Sequence, residues 1–548
     1  MESARRGVVA ASGSAPSHVA TRRQDILLAL IVLAGTVLRV LTLNSRSFWL
    51  DEATSVRQAS WSIPVIIDRM SGNVHPPLFH LLLHWWIRNM GRSEVSVRSF
   101  VLLFGVLAIP LAYWVGTNMY ERRVGLVAAA IVAFSPYLIW YSQEARMYSM
   151  LLFFAFASTG CLYEALRSRS PGWWVAYTIS TSAGMFTHFF FGFLVIMQGL
   201  YMLVFFVIRQ YRDLRARGLL LTRPSRPWLL FKDYPEAAEW LGCLLISLLP
   251  VVWWMSKVLG HVQPGGDTVK SLNYGNAVTA GWRFNEIILS VGQASFGIHS
   301  QLTMSDLSAI WPLAITVGFL VGGHVRRISP RTWLLVFTGA FGVSAIAIVS
   351  QWLPSYEVRY FIPVSAPLVV LFARFIADLR PATARLVCAS LIVISLVTYA
   401  DQGYNPDSIL KWDNREAVAA VASGYEPGDS ILLVPYYASS VLEYYLPPDM
   451  YAAVRGVPVI GPGTGEPRNT PELLAQDLSQ QVGQSQRVWV VSSFIEAGRI
   501  AEDRKNVIAW LESHGYRERR DLPLHRIRVS LYEAPNDRRF FIKQGGSP

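Results

Sequence analysis

Five short stretches of the chain carry side chains whose types and spacing suit acid–base and anion-binding chemistry. The first is Phe48-Trp-Leu-Asp-Glu-Ala53, where Asp51 and Glu52 are adjacent carboxylates just beyond an apolar run. A positioned carboxylate can take a proton from a hydroxyl, although a helix N-terminus or a solvated loop carries the same pair. The second is Asn73-Val-His-Pro-Pro-Leu78. A helix starting there explains the prolines, which lose no hydrogen bond at the first helical position, but it does not explain His75. The third, Tyr141-Ser-Gln-Glu-Ala-Arg-Met-Tyr148, sets Glu144 and Arg146 at the end of another apolar run, either as an ion pair or as separate binding groups. The fourth, Tyr356-Glu-Val-Arg-Tyr360, opens a run containing Pro363 and Pro367. Arg359, beside Tyr360, needs a partner at such a position, either Glu357 or an anion such as a phosphate. His188 closes a fifth run, as a ligand or as a satisfied packing residue.

The elements that must position these groups follow from composition. A chain of 548 residues that is 52% hydrophobic and 16% charged is too apolar for a soluble protein of that size. Its apolar residues gather into runs of the length a membrane crossing requires, roughly 20 residues. About eleven spans are expected, at 25–43, 98–118, 124–141, 148–166, 173–189, 191–208, 238–257, 306–325, 332–350, 360–378 and 384–400. With residues 1–24 cytoplasmic, Arg122 and Arg123, Arg167 and Arg169, the Arg-rich stretch 209–232, Arg326, Arg327 and Arg331, and Arg380 and Arg385 all fall inside. Every one of these loops then obeys the positive-inside rule. Counting 76–90 as a span would invert all of them, so this stretch, interrupted by His80 and His84, is read as a juxtamembrane helix in an external loop spanning 44–97. The first run continues to about Leu43 without a small-residue cleavage site, which marks a retained helix and not a signal peptide.

The same arrangement brings all five chemical stretches to the outer face and leaves residues 401–548 outside the cytoplasm. From Asp401 onward, helical stretches near 411–423, 471–481 and 501–513 alternate with apolar strands at 430–435 and 487–491, predicting a small α/β domain. Gly461-Pro-Gly-Thr-Gly465 reads as a Gly/Pro turn more readily than as a phosphate loop. Cys161, Cys243 and Cys388 all lie in apolar runs, so the C-terminal domain has no disulfide framework. The net charge of +12 is spread over short loops and forms no aromatic-interleaved patch, which argues against a nucleic-acid partner. The fold expected is mainly α, a polytopic membrane domain over 25–400 followed by the α/β domain.

Taken in order, Trp49-Leu-Asp-Glu-Ala53, His75-Pro-Pro-Leu78, Arg98 in a Gly-containing span, Arg122-Arg-Val-Gly-Leu126, Ser135-Pro136 and Gln143-Glu-Ala-Arg-Met-Tyr148 resemble one known group. It comprises the bacterial glycosyltransferases related to protein O-mannosyltransferases, the family 39-like group of the GT-C superfamily, with its aminoarabinose-transferase and rhizobial galacturonosyltransferase branches. The similarity covers roughly residues 24–200, and is weaker around Arg359-Tyr360. The resemblance implies a polyprenyl-phosphate-sugar donor in the bilayer and transfer outside the cytoplasm, with inversion, to a glycan, lipid or protein acceptor. It assigns the catalytic acidic residue of the first external loop to Asp51, with Glu52 beside it, and the supporting acidic residue of the second to Glu144. Arg146, Arg359, Tyr360, His75 and His188 become the candidates for holding donor phosphate and substrate. Gln-Glu-Ala-Arg stands where an Asp-x-Asp pair would, which leaves a divalent metal at that loop open; no other cofactor is implied.

Inverting transfer needs a carboxylate for the acceptor proton and cations near the departing phosphate, and these residue types supply both. Two other readings remain. A lipid-linked-sugar transporter or flippase would place ionisable or helix-breaking groups near the bilayer midplane in repeated halves, whereas the candidates here collect at one face without a repeat. An O-antigen ligase or polymerase type of enzyme would also have many spans and outer loops, but the early Asp-Glu pair favours the first reading.

Overall fold

The computed structural model describes residues 18–72, 75–216, 234–261, 329–349, 358–405, 412–434, 438–456, 471–482, 485–493 and 498–535. Among these, seven helices are long and apolar enough to cross a membrane. They are α1 (His18–Leu41), α5 (Glu94–Met119), α8 (Tyr148–Ser168), α10 (Phe191–Ala216), α11 (Pro235–His261), and two helices covering Arg359–Asp378 and Pro381–Tyr404. Their outward faces are apolar, as a lipid solvent demands: Leu30, Leu33 and Val40 on α1 and Leu249 and Val252 on α11 are all exposed.

Three of the other four expected spans are described, and each departs from a single long crossing helix. Residues 171–187 form α9 (Pro171–Thr187), whose 17 residues fall just short of a full crossing. The stretch 330–349 is helical throughout, but a π-helical turn at Val336–Phe341 interrupts it. The run at 306–325 and the Gly461–Gly465 turn lie outside the described residues. The run expected as one span over 124–141 is instead two helices, α6 (Arg122–Phe134) and α7 (Pro136–Ser142), bent by 62°. Pro136 cannot donate to the α6 ladder, and Ser135 caps α7 by accepting the Leu138 N–H at 3.4 Å. The α6 carbonyls exposed by the break would be costly in hydrocarbon. The buried guanidinium of Arg39 takes them up, donating to Val132 O at 2.8 Å and Ala133 O at 3.0 Å.

Between α1 and α5 run three short helices, α2 (Leu50–Ala59), α3 (Ile63–Gly72) and α4 (Leu78–Met90). With 13 residues, α4 is about 20 Å long, too short to cross. It buries Phe79 and Leu83 and exposes Trp85. Toward the C-terminus lies a five-stranded sheet, with β1 (Ser430–Val434), β2 (Val454–Gly456), β3 (Arg487–Ser493), β4 (Arg517–Leu524) and β5 (Ile527–Glu533) in the order β2-β1-β3-β5-β4. β1 runs parallel to both its neighbours, while β5 is antiparallel to β3 and β4. Side chains alternate across the sheet. Leu432 and Val434 pack with Val507 and Leu511 of the helix Gly498–Ser513. Ile431, Leu433 and Trp489 face the other way, into a core continuous with that of the membrane helices.

Candidate active site

The Asp51-Glu52 pair falls in the first turn of α2, where the helix dipole favours negative charge. Successive helical residues point about 100° apart, so the two carboxylates meet different surroundings. Glu52 points inward and is fully buried. Arg98 of α5 donates Nε to its Oε1 and Nη2 to its Oε2, both at 2.8 Å, and the Ala145 N–H donates to Oε1 at 3.0 Å. Arg98 also donates to the backbone oxygens of Leu43, Arg46 and Ser47, at 2.9, 2.7 and 3.2 Å. One buried ion pair thus joins the end of α1, the start of α2, α5 and the loop carrying Glu144 and Arg146.

Asp51 points the other way and keeps 28% of its side chain exposed. Its Oδ2 lies 3.3 Å from Arg359 Nη1 and 3.9 Å from Arg146 Nε. Arg146 Nη1 donates to Ser55 Oγ at 3.2 Å, and that hydroxyl donates to Asp51 O at 2.9 Å, one turn back on α2. The Arg359 guanidinium lies 5.9 Å from the Tyr148 ring centroid and 6.0 Å from that of Tyr360, within cation–π range. Tyr360 stacks on Phe190, with centroids 4.0 Å apart, and lies 5.9 Å from His188. His188 lies 5.8 Å from His75 in turn. The structure therefore gathers Asp51, His75, Arg146, His188, Arg359 and Tyr360 into one cluster.

Glu144 is buried beside this cluster, and its backbone oxygen accepts the Arg146 N–H at 2.6 Å. Of the two partners expected for Arg359, Glu357 lies outside the described residues, and Asp51 is a partner that the sequence reading did not name.

The two histidines are polar without being cationic. Burial first, and the Arg146 guanidinium second, push the His75 imidazole down to about 4, against a pull from Asp51. His188 accepts the Phe190 N–H at Nδ1, 3.1 Å away, which puts a neutral ring's proton on Nε2 as a donor. Among the described residues, no three His, Cys, Asp or Glu side chains form a group that could hold a metal ion.

Three residues that hold this geometry lie outside the five chemical stretches: Arg39, which takes up the α6 carbonyls, Ser55, between Arg146 and the Asp51 backbone, and Glu94, whose Oε1 accepts the Phe48 N–H at 3.3 Å just before Asp51. A charge inside an otherwise apolar first span was the available signal for Arg39. Ser55 carried none. Glu94 precedes a span, where an acidic residue passes for an ordinary helix start.

Residues 74–222 match the family model described as dolichyl-phosphate-mannose-protein mannosyltransferase, a segment that holds His75, Glu144, Arg146 and His188 but neither Asp51 nor Arg359. No curated protein sequence matches the chain. Solved structures share its fold over most of its length. ArnT from Cupriavidus metallidurans in the apo state aligns at 13% identity and a TM-score of 0.55, over 93% of this chain and 98% of that one. The same protein bound to undecaprenyl phosphate aligns at 15% and 0.53, over 92% and 97%. The archaeal oligosaccharyltransferase AglB from Archaeoglobus fulgidus, in complex with an inhibitory peptide and a dolichol-phosphate, aligns at 13% and 0.51, over 92% and 73%. Fold and matched segment together define the class, a multi-pass membrane glycosyltransferase. Its fold is the one shared by the ArnT and AglB structures.

Proposed function

We propose that the chain moves a sugar from a polyprenyl-phosphate-linked donor to a hydroxyl of an envelope glycan, lipid or protein, with inversion, at the outer surface of a bacterial inner membrane. The observation that carries this reading is the meeting of Asp51 Oδ2 with Arg359 at 3.3 Å and Arg146 at 3.9 Å, a partly exposed carboxylate beside two guanidiniums. The acceptor oxygen attacks the anomeric carbon as the bond from that carbon to the phosphate oxygen breaks, and the phosphate leaves with the electron pair. Asp51 takes the acceptor proton. Arg359 and Arg146 hold the phosphate before and after the step and stabilise the charge it gains. Phosphate is a good leaving group, so no protein acid is required. Tyr360, His75 and the His188 Nε2–H line the cluster as neutral groups suited to sugar hydroxyls. Glu52 and Glu144 support the site from within the protein, Glu52 through Arg98.

Two further observations support the donor class. The ArnT structure binds undecaprenyl phosphate and the AglB structure a dolichol-phosphate, on folds like this one. The loop charges support a cytoplasmic N-terminus, spans within 25–400 and an extracytoplasmic domain over 401–548. A C-terminal alkaline phosphatase fusion should then be active and a fluorescent-protein fusion dark. The reaction is tested with purified Asp51→Asn protein in detergent, in single-turnover transfer from a synthetic lipid-linked sugar. The rate should fall about 10²- to 10⁴-fold, the usual cost of losing a positioned base, while the donor still binds. A near-normal rate removes Asp51 as the base.

A further inference from the structure

The residues immediately before Asp51 are held by the C-terminal domain as well as by the membrane helices. Ser47 Oγ donates to Trp412 O at 2.6 Å and accepts the Asn414 N–H at 3.1 Å, while Asn414 Nδ2 donates to Phe48 O at 2.9 Å. The Phe48 N–H faces two acceptors, the Tyr445 hydroxyl at 2.7 Å and Glu94 Oε1 at 3.3 Å. That hydroxyl donates in turn to Glu94 Oε1, and Arg415 pairs with Glu94 Oε2. Glu94, 8% exposed in the first turn of α5, therefore collects a phenol and a guanidinium from the C-terminal domain and an amide from the loop leading to Asp51. A second grip lies along α2, where Thr54 Oγ1 and Ser440 Oγ are 2.9 Å apart and Arg57 pairs with Glu443 at 3.5 Å.

These contacts converge on the backbone that sets the start of α2, three residues before the proposed base. We infer that the C-terminal domain is a working part of the transfer site, and that Tyr445 and Glu94 are positioning residues which fix where Asp51 sits through the Phe48 amide. The inference rests on the reading of Asp51 as base. Its physical content is that a group held by rigid neighbours keeps reacting atoms in line, and that displacement by about 1 Å can cost on the order of 100-fold in rate. Tyr445→Phe is the sharpest probe, because it removes one hydroxyl and keeps the ring that packs edge-on against Tyr444.

In single-turnover assays of the full-length protein, Tyr445→Phe should lower the transfer rate about 10- to 100-fold, with donor affinity and melting temperature close to wild type. A lowered melting temperature with an unchanged rate would mean that the hydroxyl only holds the fold together, and would overturn the inference. Rescue provides the second arm. Thr54→Cys with Ser440→Cys in the Tyr445→Phe background replaces the 2.9 Å hydroxyl contact with a disulfide. Oxidation, followed by the mass shift of the cross-linked protein, should recover rate and reduction should lose it again; cross-linked protein with no recovery counts against positioning through the domain. A fully active Asp51→Asn protein would sink the assignment of the base, whereas a fully active Tyr445→Phe protein sinks only this inference.

Discussion

Arg98 and Glu52 meet at 2.8 Å through two parallel hydrogen bonds, with both side chains essentially out of contact with solvent. Removing one partner of such a pair leaves a buried charge uncompensated, at a cost of about 3–5 kcal/mol. Glu52→Gln should therefore lower the melting temperature in detergent steeply, in contrast to Asp51→Asn, whose side chain is partly exposed. A Glu52→Gln protein that melts like wild type but has lost transfer would instead put Glu52 among the reacting groups.

The His75 imidazole gives stability a defined pH dependence. Its folded value of about 4 lies below the unfolded 6.5, so between those limits the unfolded chain binds more protons than the folded one. Stability from this group is complete above about pH 6.5 and is lost as pH falls toward 4. Melting temperatures measured between pH 4.5 and 7.5, in steps of about 0.5, should fall with acidity more steeply for the wild type than for His75→Asn. Equal slopes would show that the ring is not held neutral by its surroundings.

Much of the architecture was legible because membrane spans are written in continuous apolar runs and loop charges. Each chemical stretch could also be found, since each is local. What stayed hidden was long-range pairing: Asp51 and Arg359 are 308 positions apart, and nothing local to Tyr356-Glu-Val-Arg-Tyr360 shows that the partner is Asp51 and not Glu357. The different roles of Asp51 and Glu52 were equally invisible, because they depend on the rotational setting of α2. In the C-terminal domain, β1 and β3 stood out as apolar runs, whereas β4, an edge strand beginning Arg517-Glu-Arg-Arg, reads as a charged loop. Edge strands carry charge for a physical reason, to discourage pairing with other chains, and that same charge conceals them.

The break between α6 and α7 yields a test of packing. Gly105 of α5 faces Ser142, and a Cβ there would lie 2.2 Å from the Ser142 Oγ. That hydroxyl accepts from Arg39 Nε at 3.2 Å and donates to Leu138 O at 2.5 Å, so it has little freedom to withdraw. Gly105→Ala should destabilise the protein by about 1–3 kcal/mol, the range for overpacking a tight core. It should also slow transfer, because α7 leads directly into Glu144 and Arg146. A melting curve and a transfer rate both like wild type would show that the α7 end of the break is soft.

Arg359 separates the phosphate-binding reading from a purely structural one. In the structure its guanidinium lies 3.3 Å from Asp51 and is 20% exposed, so it can exchange a carboxylate contact for a donor phosphate without first being unburied. A charge-assisted hydrogen bond contributes about 1.5–3 kcal/mol, so Arg359→Ala should weaken polyprenyl-phosphate binding about 10- to 100-fold. Arg359→Lys keeps the charge but lacks the planar fork that engages two oxygens at once, and should fall between wild type and alanine. Asp51 still has Arg146 within 3.9 Å in both variants, so the fold around α2 should hold and the melting temperature should change little. The measurement is a titration of each purified variant with a short-chain polyprenyl phosphate, read by the rise in melting temperature with ligand. Affinity that survives the loss of Arg359, together with a collapse in the ligand-free melting temperature, would make this arginine a structural partner of Asp51 and leave Arg146 as the residue to test for the phosphate.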